Sequence, residues 1–281
     1  MNMERAGLAM CIIQELRMPN TGDGQQKPPI QSLDRGLVIL EAVAKSSNPV
    51  SLGELTNLLG IDRSSVFRLA GTLKRRGFLA YPTGQKDYIL GPTLWRLSHQ
   101  YDWGIMLIRM SREHLKQLAN QTNETAHLAI REGKHALFID HAVTNHVIAV
   151  SGQTGELVPL YCTAHGKALL ADSDERELRT LFGTAPLRAY TKQTVVTIPA
   201  LARDCARFRE QGFATDDSEF QEGIRCVAAP IRADTGMIVG SIGISAPMLR
   251  FPKERYGAVG AQVRAVAEQI STRLRSPQRK T

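Results

Sequence analysis

Cysteine is scarce in this chain of 281 residues, and the four that occur, Cys11, Cys162, Cys205 and Cys226, are far apart and form no C-x-x-C pair. A disulfide framework and a zinc ribbon are therefore not expected, and the scarcity fits a reduced, cytoplasmic protein. Apolar runs long enough to span a bilayer are also lacking, so no membrane partner is expected. The first residues, MNMERAGLAMCIIQELR, place one base before a short apolar run, and then Gln14, Glu15 and Arg17 where small residues would mark a cleavage site. They read as no signal peptide. No sequence-local nucleophile elbow and no internal repeat occurs.

The net charge of +8 is unevenly spread. Residues 27–98 hold ten Lys and Arg against five acids, the last dozen residues add four bases, and residues 99–272 balance at nineteen of each. A local basic excess is the electrostatic footprint expected of a phosphate-binding segment.

Within that segment Ser51 to Gly77, SLGELTNLLGIDRSSVFRLAGTLKRRG, reads as two short helices joined at a tight corner. Ser51 and Glu54 stand three apart and form a capping box. Leu52, Leu55, Leu58 and Leu59 then give one apolar stripe. Gly60 supplies the corner, Ile61 is placed to bury beneath it, and Asp62 caps a second helix. In that helix Val66, Phe67, Leu69, Ala70 and Leu73 are apolar, while Arg63, Ser64, Ser65 and Arg68 form a polar face. A helix pair whose second member is basic near its start is the helix-turn-helix arrangement. An exposed Arg there can make a bidentate bond to guanine, and serines can bond bases or phosphates. The alternative is a solvated charged face on a helix pair that never meets nucleic acid.

An earlier helix is predicted from Ser32 to about Lys45. FLAYPT, GQK and DYIL read as a hairpin with a turn at Gly84. Three helices and a hairpin make a winged helix-turn-helix, with Gln85 and Lys86 at the wing tip. The candidate DNA-contacting set is Ser51, Arg63, Ser64, Ser65, Phe67, Arg68, Arg75, Arg76 and Lys86.

The rest predicts an α+β domain. Gly91 and Pro92 open a linker helix running through Trp95 toward Trp103, followed by an amphipathic helix from about Ile105 to Gln121. Strands are expected at Thr125 to Ile130, Ala136 to His141, Val147 to Ser151, Phe213 to Phe220, Cys226 to Arg232 and Met237 to Ser245. Helices are expected at Thr163 to Ala171, Asp174 to Phe182, Pro199 to Gln211 and Pro252 to Leu274. The domains then run 1–29 (a Pro, Gly and Gln-rich tail, with a transient helix at Leu8 to Leu16), 30–91 (winged helix), 92–104 (linker helix) and 105–275.

The segments SLDRGLVILEAV, DRSSVFRLAGTLKRRGFL and YILGPTLWRLS resemble the DNA-binding half of IclR-type bacterial transcriptional regulators. GELVPLYCTAHGKALLA, REQGFATDDSEFQEGIRCVAAPI and GSIGISAP resemble the second half of the same family, in order. The resemblance covers residues 30 to about 275. It implies a C-terminal GAF-like domain that binds a small metabolite, dimers or dimers of dimers, and control of a catabolic operon, with no cofactor or metal. The implied effector-lining residues are Ala164 and His165 with Gly166, then Asp216 and Cys226, then Gly243 and Ser245. His165 and Gly243 depart from the commonest family pattern. A helix N-terminus at Ala164 to Gly166 suits a small anion, and the resemblance alone implies a sugar acid or an aromatic acid of a catabolic pathway.

Other readings remain beside this one. Cys226 can be a small buried hydrophobe, or a nucleophile with His165 as base in a thiol-dependent enzyme. Cys162 and His165 have ligand-compatible spacing without a clear second pair. His127, His135, His141 and His146 read as scattered, and the second domain can also be purely structural.

Overall fold

The computed structural model describes residues 30–98, 102–143, 150 and 152–275. The tail over 1–29 with its Leu8 to Leu16 helix, the middle of the linker at 99–101, and nearly all of the strand expected at Val147 to Ser151 lie outside the described residues. The chain divides into two compact units between residues 100 and 101.

The first unit holds α1 (Gln31–Lys45), α2 (Leu52–Leu59), α3 (Arg63–Arg75), β1 (Leu79–Ala80), β2 (Ile89–Leu90) and α4 (Pro92–Ser98). Ser51 and Glu54 form the capping box of α2, and Gly60 ends that helix in the left-handed region at φ 60°. That conformation costs glycine nothing, so the chain turns sharply there without strain. Asp62 caps α3 by accepting the Ser65 amide at 2.8 Å. Ile39, Val43, Leu55, Val66, Ala70, Leu79 and Tyr88 form the core. β1 and β2 pair antiparallel, Leu79 with Leu90 and Ala80 with Ile89, and Val50 bridges Tyr88 as a third rung of the wing. Phe67, counted both among the apolar positions and among the candidate DNA contacts, is 57% exposed, on the same side as Arg63 and Arg68.

The second unit is a six-stranded antiparallel sheet in the order β5-β4-β3-β8-β7-β6. Its strands are β3 (Thr125–Glu132), β4 (His135–Ala142), β5 (Leu157–Pro159), β6 (Ala214–Asp217), β7 (Ile224–Arg232) and β8 (Ile238–Pro247). Period-two alternation sends Leu128, Val227, Ala229, Ile231, Ile242 and Ile244 to one face. There they bury against Leu107, Leu115 and Leu118 of α5 (Asp102–Thr122) and Val259, Val263 and Ile270 of α9 (Tyr256–Arg275). The other face carries the short helix α6 (Ala164–Leu169), backed by α7 (Glu175–Phe182) and α8 (Ile198–Gln211).

Three expectations change. The Phe213 to Phe220 strand shrinks to Ala214–Asp217 because Ser218 takes φ 60° and its amide closes a turn onto Ile224 at 2.9 Å. The helix read as Thr163 to Ala171 ends at Leu169, with Thr163 outside it as the cap. β5 went unread because three residues ending in proline carry too short an alternation to separate from a loop.

Candidate functional site

On α3, Arg63, Ser64, Phe67 and Arg68 stand at i, i+1, i+4 and i+5, which puts them on one side of the helix. All four are exposed, and so are Arg75, Arg76 and, at the wing tip, Lys86. Ser65 is half-buried, its amide held by Asp62. Ser64 donates its hydroxyl to Asp62 at 2.6 Å, so in this state it is a helix-start brace with a free acceptor rather than a free donor. The Ser64 hydroxyl first, then the Ser65 side chain and amide, hold the Asp62 carboxyl well below the ordinary range. Ser51 is likewise engaged both ways: its hydroxyl accepts the Glu54 amide and donates to the Glu54 carboxylate. Its work is to fix the start of α2. Lys74 lies 3.8 Å over the Tyr81 ring, which ties the end of α3 to the wing.

In the second unit, strand register gathers residues that are far apart in sequence. On the α6 side one row runs Asp216, Cys226, Ser245, Thr125, each opposite the next across β6, β7, β8 and β3. The next row runs Ala214, Ala228, Gly243, His127, His141, and a third runs Pro230, Ser241, Ala129, Phe138. Helix α6 lies over this face. Its Ala164 and Ala168 pack on Ala214, Cys226 and Ala228. Its His165, 2% exposed, turns Nδ1 to Ser241 Oγ at 3.0 Å.

Asp216, Cys226, Ser245 and His165 are thus all buried on one face. Cys226 donates its thiol hydrogen to Ser245 Oγ at 3.2 Å, and Asp216 accepts the Glu219 amide at 2.7 Å. Burial pushes the Asp216 carboxyl up to about 7, with the Glu219 carboxylate adding to it and the Glu219 amide bond opposing it. Burial pushes the Cys226 thiol well above its ordinary value. A thiol so held supplies no thiolate, and its partner is Ser245 rather than His165, so the nucleophile-and-base pairing fails. Cys162 is likewise a buried thiol, and among the described residues no group of three or more His, Cys, Asp and Glu is placed to hold a metal ion.

Two residues of the expected site are packing elements. The Gly166 amide is taken by Thr163 Oγ1 at 3.1 Å, which leaves Ala164 and His165 as the helix-start amides that α6 does not use. A Cβ on Gly166 would lie 2.2 Å from the Leu160 carbonyl oxygen and 2.3 Å from Leu160 Cα. Gly166→Ala is therefore expected to cost about 3 kcal/mol, because backbone rather than a flexible side chain must move; urea unfolding with less than about 1 kcal/mol of loss would show that α6 is not clamped on Leu160. Gly243 is similar, since a Cβ there would lie 2.3 Å from the Val227 carbonyl oxygen. Its glycine serves the close approach of the neighbouring strand, and no serine fits without displacement.

The sequence reading missed Thr125, His127, Ser241 and Phe138. Alternation from Ser245 reaches Ser241 on the same face, so that signal was present. The pairing of His127 with His141 depends on a bulge between Leu128 and Ala129, which no local pattern announces. His127 is 1% exposed, stacks on Phe138 at 4.7 Å, and has neither ring nitrogen bonded among the described residues. His165 Nε2 and Thr125 Oγ1 are also buried without partners among the described residues. Buried polar atoms are nearly always satisfied, so several in one place mark a ligand or water site.

A winged helix with an arginine-bearing second helix, and a separate α+β unit with a buried polar face, define a two-domain DNA-binding regulator. Residues 32–82 match the IclR helix-turn-helix domain, and residues 100–272 match the bacterial transcriptional regulator IclR C-terminal domain. The chain belongs to the IclR family of transcriptional regulators and is not an enzyme. It is 29% identical over 265 residues to the HTH-type transcriptional repressor AllR of Escherichia coli K12, covering 94% of this chain and 98% of that one. The IclR structure of Thermotoga maritima matches with a TM-score of 0.67 and 26% identity, over 88% of this chain and 99% of that one. An IclR homologue of Microbacterium hydrocarbonoxydans complexed with 4-hydroxybenzoate shares the fold at a TM-score of 0.76 and 20% identity, over 86% of this chain and 98% of that one. Among the described residues no helix is long and apolar enough to cross a membrane.

Proposed function

We propose that the chain is a repressor of a catabolic operon, that residues 30–91 read a near-palindromic operator, and that a small carboxylate bound in residues 105–275 changes operator affinity, with 92–104 as the linker. The observation that carries the effector half is the set of unbonded, buried polar atoms on His127, His165 and Thr125 beside Ser245 and Ser241. The repressor sign follows the naming of AllR. A carboxylate suits the donors available there: Ser and Thr hydroxyls, imidazole N–H groups and the two helix-start amides.

Exposed apolar side chains support assembly as a dimer or a dimer of dimers. Ile30, Leu33 and Leu37 lie exposed along α1 and its start, and Trp95 is 68% exposed on α4. A symmetric dimer places two α3 helices on half-sites about 10 base pairs apart or a multiple of that. Footprinting that finds a single half-site at full affinity argues against it.

On α3, Arg63 and Arg68 are assigned to base edges and Arg75, Arg76 and Lys86 to phosphates. Arg63→Ala is expected to cost about 1 to 3 kcal/mol on the operator and to relax preference at one base step. Lys86→Ala is expected to weaken operator and random DNA alike. Fluorescence anisotropy on both sequences separates the roles, and equal losses for Arg63→Ala on operator and random DNA would remove its assignment. The whole reading is tested by operator binding of the full chain with and without a panel of small acids. Coupling of about 1 to 3 kcal/mol is expected for the cognate acid.

A further inference from the structure

Three histidines from three elements lie together on the α6 side of the sheet, two of them buried. His127 of β3 and His165 of α6 meet edge to face with ring centroids 6.0 Å apart. His141 of β4 lies 6.4 Å behind His127, is exposed, and bonds Thr154 through Nδ1 at 3.1 Å. Gly152 covers His127 so closely that a Cβ there would sit 2.5 Å from Nε2. Three imidazole nitrogens of the inner pair, both of His127 and Nε2 of His165, have no partner among the described residues.

A neutral imidazole has one N–H donor and one bare acceptor nitrogen whichever tautomer it takes. A carboxylate only accepts, so against neutral His127 it satisfies one nitrogen and leaves the other bare. Among the described residues it also has no free countercharge to meet. Lys167, on the same helix, is bonded to Glu219 at 2.5 Å and Asp204 at 3.5 Å. Asp140 faces the other side of the sheet, where it pairs with Arg112. Asp216, Glu219 and Cys226, toward the other end of the face, bring no positive charge. An unpaired carboxylate in such a place is prohibitively costly.

Resting on the carboxylate reading above, we propose that His127 and His165 jointly receive the anionic group of the effector, and that the pair gains one proton from solvent as that group docks. The proton converts a bare acceptor into a second donor and supplies the missing countercharge in place. In the free protein, burial first and the neighbouring imidazole second hold His165 down at about 3, and burial with His141 holds His127 at about 4. Both are therefore neutral before binding, and the proton has to come with the ligand.

The test is calorimetry of the full chain with glycolate, succinate and 4-hydroxybenzoate as probes, at about pH 7 in phosphate and in Tris, whose ionisation enthalpies differ widely. For an acid that binds, the enthalpies in the two buffers are expected to differ by close to one proton taken up per site. Affinity is expected to fall about tenfold for each pH unit while the complexed pair holds its extra proton. His127→Asn keeps a donor without a titrating ring, so it is expected to lose both the proton uptake and the pH slope. If that variant does not fold, the proton count of the unaltered chain decides alone. An acid that binds with no proton uptake overturns this inference and leaves the carboxylate reading standing. Silence of every acid, with a neutral or cationic metabolite binding instead, overturns both.

Discussion

Lys167→Met is expected to destabilise the C-terminal unit by about 3 to 5 kcal/mol, the usual cost of removing one partner from a buried ion pair. Lys167 is fully buried on α6, and its ammonium is bonded to both carboxylate oxygens of Glu219 and to Asp204. Asp204 has a second partner in Arg207, at 2.7 Å. Glu219 has no other cation bonded to it among the described residues, so the loss falls chiefly on that carboxylate. Burial already pushes the Glu219 carboxyl up, with Lys167 as the main force opposing it. Without the ammonium it must be buried unpaired or take a proton. The double variant Lys167→Met with Glu219→Gln removes both charges and is expected to recover most of the loss. Denaturant titration of the four proteins gives the coupling directly. Simple additivity, with the double variant losing as much as both singles together, would mean the pair is not a closed unit.

That lysine also shows where sequence reading reaches its limit. The motif around it, A-H-G-K-A, was legible as a helix start, because Thr163 precedes it and the spacing of Ala164 and Ala168 suits one buried face. Nothing local says that the lysine of such a motif is buried, since the partner carboxylate lies fifty-two residues on. The helix-turn-helix was legible almost residue by residue, since caps, the Gly60 corner and the core stripe are all encoded within a few positions of where they act. Phe67 is the exception. It counts both among the apolar positions of the helix and among the candidate DNA contacts, and its exposure beside Arg63 and Arg68 agrees with the second and not the first. In the sheet, Asp216, Cys226 and Ser245 came from the family resemblance, and register explains why they belong together. The grouping of the histidines did not emerge, because His127, His141 and His165 are joined only by strand pairing, a bulge and a helix crossing.

Asp216→Asn is expected to stabilise the protein at alkaline pH, on the order of 2 to 4 kcal/mol, the work of holding a charge that burial disfavours through about three pKa units. Asp216 is 3% exposed, and its carboxyl is raised to about 7 against an ordinary value of 3.8. A raised acid makes the folded state bind the proton that the unfolded chain has already released. Stability from this group is therefore full below about pH 4, declines as pH rises toward 7, and stays at its lowest above that. The Asp216→Asn side chain cannot ionise, yet its carbonyl oxygen can still accept the Glu219 amide that Asp216 holds at 2.7 Å. The histidines tilt the curve of the unaltered protein the other way. His127 and His165 are held far below 6.5, so their burial costs stability as pH falls through the range from about 6.5 to 4. The quantity to measure is thus the difference in unfolding free energy between the Asp216→Asn variant and the unaltered chain, at fixed temperature from about pH 4 to 9, in which the histidine contributions cancel. It is expected to be near zero at the acid end and to grow to a plateau just above neutrality. A flat difference across the range would mean that Asp216 stays ionised in the folded protein. A carboxylate effector would then meet a fixed negative charge at the Asp216 end of this face throughout the range, whereas a carboxyl raised to about 7 is uncharged in acid and only partly charged at neutrality.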